Sequence, residues 1–139
     1  MRFMMIVKAN EESESGRMPT TEEFEEMAAY NEELARAGVM RAGEGLHPSS
    51  RGFRVDFNGE TPAVIDGPFT ETKELVAGFW IIEVNSREEA VEWARKVPFR
   101  EGVLEIRQIF ETDDFGDSLT PELREREERL RAEYERQGQ

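Results

Sequence analysis

Apolar residues fall along this chain in short clusters, and their spacing switches between the period of a strand and that of a helix. Arg2-Phe3-Met4-Met5-Ile6-Val7-Lys8 is an apolar run with charged ends, which predicts a buried strand near the start of the chain. Asn10 to Pro19 is polar and ends in proline, which predicts a loop. Thr20 and Glu23 then form a capping-box pattern. Phe24, Met27, Ala28, Asn31, Leu34 and Ala35 follow at helical spacing, with Asn31 a polar interruption of the face. Gly38 is placed to end this helix as its C′ residue.

Val39 to Leu46 reads as a second strand. Arg51 to Phe57 alternates Phe53, Val55 and Phe57 against Arg54 and Asp56, the pattern of a half-buried strand. Asn58-Gly59 is a hairpin turn signal, and Pro62 to Asp66 is the return strand. Gly78 to Val84 is the most apolar strand, where Gly78 marks a bulge or a close backbone approach. Ser86 with Glu89 caps a second helix whose inner face is Ala90, Trp93, Ala94 and Val97, stopped by Pro98. Val103 to Phe110 is the last strand. Thr120-Pro121 opens a charged third helix, with Glu122/Arg126, Glu125/Arg129 and Glu127/Arg131 spaced as i,i+4 pairs and only Leu123, Leu130 and Tyr134 apolar.

With the hairpin treated as an insertion, the order is β-α-β-β-α-β, an α+β ferredoxin-like arrangement of two split βαβ units followed by an extra C-terminal helix. Residues 1–114 form the domain and 115–139 a charged helical extension. Two helices cover one face of an antiparallel sheet. The other face also carries apolar residues, and a second copy of the chain is the economical cover, which predicts a homodimer.

Composition narrows the function classes. The 139 residues suit one domain, and the net charge of −13, from 18 basic and 31 acidic residues, disfavours direct contact with nucleic acid or an acidic membrane surface. The sequence has no cysteine and no apolar stretch of membrane-spanning length, so a cytoplasmic protein is the expectation. There is no P-loop, Gly-x-Gly-x-x-Gly or Gly-x-Ser-x-Gly pattern, and no cofactor is indicated.

Most candidate chemistry gathers around Asp66-Gly67-Pro68-Phe69-Thr70-Glu71-Thr72-Lys73-Glu74. Gly67 can take φ > 0 here, and Pro68 fixes the next φ. His47, the one histidine, follows the second strand, with Glu44 near it in sequence and Asp66 expected near it in space. A histidine oriented by a carboxylate is a standard acid or base; the plainer role is a turn residue before Pro48. Asp66 before Gly67 also suits an Asx-type turn. Glu71 and Lys73 read as exposed charges, although Lys73 can also pair with Asp66 or hold an anion beside Arg107. Arg107 and Glu105 share the mixed face of the last strand, where Arg107 suits a carboxylate or phosphate and the plainer role is a cross-strand ion pair. Trp93 reads as packing, and Trp80 as lining a dimer face or a pocket. One histidine without cysteine argues against zinc, so no metal site is assigned.

Residues from Met1 to about Glu111 resemble the YCII-related superfamily, and within it the DGPF-domain proteins. The resemblance is carried by Gly43-Glu44-Gly45-Leu46-His47-Pro48, by the Asp66–Glu74 run, by Gly78-Phe79-Trp80-Ile81-Ile82, by Glu89–Ala94 and by Glu105-Ile106-Arg107. It implies a ferredoxin-like fold assembled as a dimeric α/β barrel. In the shorter branch a His–Asp pair in the cleft is the suggested active site. The histidine of that pattern belongs on the first helix, where this chain has Glu26, Ala28, Tyr30 and Asn31. The resemblance also implies a genomic setting beside sigma factors. The expected function is therefore a homodimer that binds a small polar or anionic molecule. His47 and Asp66 are the catalytic candidates for a cofactor-free acid–base step, and Glu44, Glu71, Lys73 and Arg107 line the site. The alternative is a non-catalytic regulatory module with a protein partner.

Overall fold

The computed structural model describes residues 1–138. Its elements run β1 (Arg2–Lys8), α1 (Glu11–Glu14), α2 (Thr21–Arg36), β2 (Met40–Gly45), β3 (Phe53–Asp56), β4 (Ala63–Asp66), β5 (Val76–Glu83), α3 (Arg87–Arg95), β6 (Leu104–Gln108) and α4 (Pro121–Gln137). The main sheet has the order β2-β5-β1-β6 with every neighbouring pair antiparallel. Without the β3–β4 insertion, the chain runs β-α-β-β-α-β through this sheet, as the split βαβ pattern requires.

Register divides the sheet into two unlike faces. Met5 pairs with Trp80 and Ile106, and Phe3 with Ile82 and Gln108. Phe3, Met5, Trp80 and Ile82 are buried against Tyr30 and Leu34 of α2 and against Ala90 and Val97. Met4, Ile6, Phe79 and Ile81 point the other way, because side chains alternate across a strand, and are half-buried. Two long helices thus cover one face only. The Tyr30 hydroxyl donates to the Trp93 carbonyl at 2.8 Å and ties α2 to α3.

The caps form as their sequences direct. Thr20 Oγ1 accepts from the Glu23 amide at 3.2 Å, and Ser86 Oγ from the Glu89 amide at 3.1 Å. The reciprocal arm of the second cap lands one residue early, with Glu89 accepting from the Asn85 amide. Gly38 has φ +73° at the end of α2, as the C′ position needs.

Several expectations change. The 10–19 stretch holds a short helix, α1, because Asn10 and Ser13 cap it reciprocally. The inner face of α2 runs through Tyr30 and Leu34, while Phe24 is 56% exposed and Ala28 and Ala35 lie outside. The β3–β4 ribbon pairs only with itself, so the residues expected to be half-buried, Phe53 and Phe57, are 65% and 74% exposed. Gly67 is not among the positive-φ glycines; a Cβ there would collide with the Ser49 carbonyl, so close approach explains the glycine.

Residues Met1–Gln108 form one compact unit and those from Ile109 onward a second. In the second, Phe110 stacks on Phe115 at 5.0 Å and so leaves the strand expected to include it. Thr120 caps α4, and Arg124 pairs with Asp113 at 2.7 Å. The three i,i+4 pairs read from the sequence do not close among the described residues.

Candidate functional site

Glycine positions open the principal cavity. Gly43 pairs with Trp80, and Gly45 with Gly78, so three glycines fall on the helix-facing side of the β2–β5 pair. That end of the sheet presents backbone where other strands present side chains. The cavity left there is about 430 Å³, within the range of small-molecule sites. Gly78 is required by packing, since a Cβ would lie 2.9 Å from the Glu44 carbonyl. A Cβ on Gly45 would meet nothing within 4 Å.

The floor is apolar, formed by Trp80, Met27 and Phe99. Trp80 is held edge-on to Tyr30, with ring centroids 5.4 Å apart, and lies 6.4 Å from Phe99. Asn31 of α2 also lines the cavity. Its Oδ1 accepts from the Trp80 indole N–H at 2.8 Å. An indole nitrogen only donates, so this contact fixes the amide orientation and leaves the Asn31 NH2 group over. That NH2 has no hydrogen-bond partner among the described residues.

The outer wall comes from residues 10–19. Asn10, Glu12, Ser13 and Arg17 line it, and Arg17 bridges Glu12 at 3.2 Å and Glu23 at 3.5 Å. The strap is tied down at Ser49, which follows β2. Glu14 accepts from both the amide and the hydroxyl of Ser49. The same hydroxyl oxygen accepts from the Phe69 amide at 2.9 Å. Ser49 therefore joins the cavity wall to the Asp66–Glu74 turn. Gly67 reinforces the junction by donating its amide to the Gly52 carbonyl at 3.0 Å.

Of the residues read from the sequence as a site, Glu44 lines the cavity through its backbone, because its side chain alternates to the face of Phe79, and the others are not among its lining residues. His47 is exposed, with Arg51 Nη1 3.2 Å from each ring nitrogen. Asp66 ends β4, exposed, and no hydrogen bond joins it to His47 among the described residues. Glu71 and Lys73 are exposed beside the short 3-10 turn Thr72–Glu74. Arg107 lies on β6, at the opposite edge of the sheet from β2, and shares the open face with Met4, its register partner. Glu105 reaches Lys8 at 3.9 Å across the β1–β6 pair.

Sequence reasoning noticed Asn31 and Trp80 without joining them. Glycines on alternate positions of one strand, opposite a glycine of the next, were the available signal for a cavity. Among the titratable groups near it, Tyr30 is displaced: burial, with the Glu33 carboxylate adding to it, pushes its phenol well above the usual range. The phenol therefore stays a neutral donor to the Trp93 carbonyl. No group of His, Asp and Glu with a metal-holding arrangement occurs among the described residues.

The profile of the YCII-related domain matches residues 1–113. An uncharacterised protein of Rhizobium meliloti (strain 1021) is 31% identical over 70 residues, which span 50% of this chain and 56% of that protein. The chain thus matches little more than half the length of that relative. A solved structure, 5-chloro-2-hydroxyhydroquinone dehydrochlorinase from Burkholderia phenoliruptrix AC1100 in complex with 2,5-dihydroxybenzoquinone, is similar over 82% of this chain and 98% of its own. That similarity has a TM-score of 0.47 at 17% identity.

Proposed function

The chain belongs to the YCII-related family, and we propose that it binds a small polar organic molecule in the cavity between α2 and the glycine-bare end of the sheet. The observation that carries this reading is the unspent Asn31 amide above the Trp80 floor. Here a donor is held in one orientation by a second side chain and left available.

The working form in this proposal is a homodimer. Met4, Ile6, Phe79 and Ile81 make an apolar centre on the uncovered sheet face, with Glu105 and Arg107 at its β6 rim. A second copy laid sheet to sheet would bury that centre and form the two-subunit barrel. Should the bound molecule react, proton transfer without a cofactor fits the side chains present. Glu12 and Glu23 are then the carboxylates in the cavity wall, since the Glu44 side chain alternates to the open face. His47, Asp66, Glu71, Lys73 and Arg107 contribute only where the partner subunit or the ligand reaches them.

Gly45→Leu tests the site. Its side chain would grow into open space within the cavity without meeting backbone. Ligand-observed NMR against a library of small ring compounds should give hits with the native protein that disappear with Gly45→Leu, while the variant keeps its circular dichroism. Equal hits for both proteins would rule the cavity out as the binding site.

A further inference from the structure

We propose that the cavity selects an uncharged planar ring bearing a hydrogen-bond acceptor, such as a ring carbonyl or carboxamide, and rejects the corresponding anion. This inference rests on the proposed binding role of the cavity and adds the chemical class of what it takes.

Three features of the site lead to it. The floor is aromatic and flat where the glycines remove side chains, and Trp80 supplies a ring face fixed by Tyr30 and Asn31. Flat ligands gain most from such a surface, because ring stacking adds to the burial of apolar area. Asn31 offers an NH2 with no partner among the described residues, and a donor pairs with an acceptor. A ligand offering only donors would leave two N–H groups facing each other.

Charge at the rim sets the remaining preference. Glu12 and Glu23 stand against Arg17 alone, two carboxylates to one guanidinium. Arg17 is already engaged with both of those carboxylates. An incoming carboxylate would have to displace one of them and sit within a Debye length, about 8 Å at physiological salt, of the other. The chain as a whole carries −13, so the long-range field also repels anions. The sequence-based expectation of a polar or anionic ligand thereby narrows to a polar, neutral one.

Benzamide, benzoate and benzamidine share one ring and differ in charge and in hydrogen-bonding sense. Binding is read from Trp80 emission in a Trp93→Phe background, where Trp80 is the only tryptophan left. Benzamide should bind at least tenfold more tightly than benzoate. Asn31→Asp keeps the oxygen that accepts from Trp80 but replaces the NH2 with a second acceptor. It should weaken benzamide about tenfold and strengthen benzamidine, which offers only donors. Benzoate binding as tightly as benzamide, or an unchanged order in Asn31→Asp, would overturn the ligand class while leaving a small-molecule site in place. Absence of saturable binding by all three rings would overturn both.

Discussion

Asn31 and Trp80 hold each other in place: the indole N–H of one meets the amide oxygen of the other at 2.8 Å, across 49 positions of sequence. The bond orients the ring that floors the cavity and selects which end of the amide faces the ligand. Asn31→Leu removes the acceptor while keeping volume, and strands the N–H of a tryptophan that is 5% exposed. The expected loss is about 1–3 kcal/mol, the usual cost of an unsatisfied buried donor. Asn31→Asp keeps an acceptor and should lose clearly less. Urea unfolding of both variants decides it, and equal losses would mean the bond does not hold the ring.

Much of the scaffold was legible because it follows from local rules. Thr20 and Ser86 are caps, Gly38 ends a helix, and the apolar runs Phe3–Val7 and Gly78–Val84 mark the two central strands. What sequence could not give was pairing between elements. The β3–β4 ribbon alternates like a half-buried strand, yet burial depends on what lies opposite, and among the described residues the ribbon pairs only with itself and leaves Phe53 and Val64 exposed. Asp66 and His47 were grouped by a turn motif, whereas Ser49 is the residue that reaches the turn, through Phe69. The cavity arises from Gly45 facing Gly78, which is a register relationship and becomes visible only when the strands are aligned.

Tyr30 sets a limit at high pH. Its buried phenol holds its proton above the ordinary tyrosine value of 10.0, whereas in the unfolded chain it ionises near that value. Unfolding above that pH therefore releases a proton, so raising pH favours the unfolded state. The contribution is fully present below pH 10 and is lost as pH rises past it. Stability measured by urea unfolding should fall more steeply above about pH 10 in the native protein than in Tyr30→Phe. Tyr30→Phe should also be less stable at neutral pH by about 1 kcal/mol, through loss of the hydrogen bond to Trp93. Parallel pH profiles for the two proteins would show that the phenol ionises freely in the fold.

The open sheet face carries the last prediction. Ile81 sits at its centre, with Ala42 beside it on β2 and Met4 on β1, in one row across the sheet that ends at Arg107. Phe79 and Ile6 form the next row, which runs from Glu44 to Glu105. Apolar groups in the middle with charges at both edges is the layout of an association surface, because the centre gains from losing water while the rim stays wet. Ile81→Glu places a charge where a partner would remove its hydration, and charge burial without a partner costs several kcal/mol. The substitution touches no residue of the helix-facing core, so the fold should survive. Sedimentation equilibrium at micromolar concentration should give twice the chain mass for the native protein. Ile81→Glu should give the single-chain mass with an unchanged far-ultraviolet dichroism spectrum. A native protein that sediments as one chain would sink the sheet-to-sheet dimer. A variant that remains a dimer would move the interface elsewhere, for which the exposed ribbon carrying Phe53, Val55 and Val64 is the next surface to test.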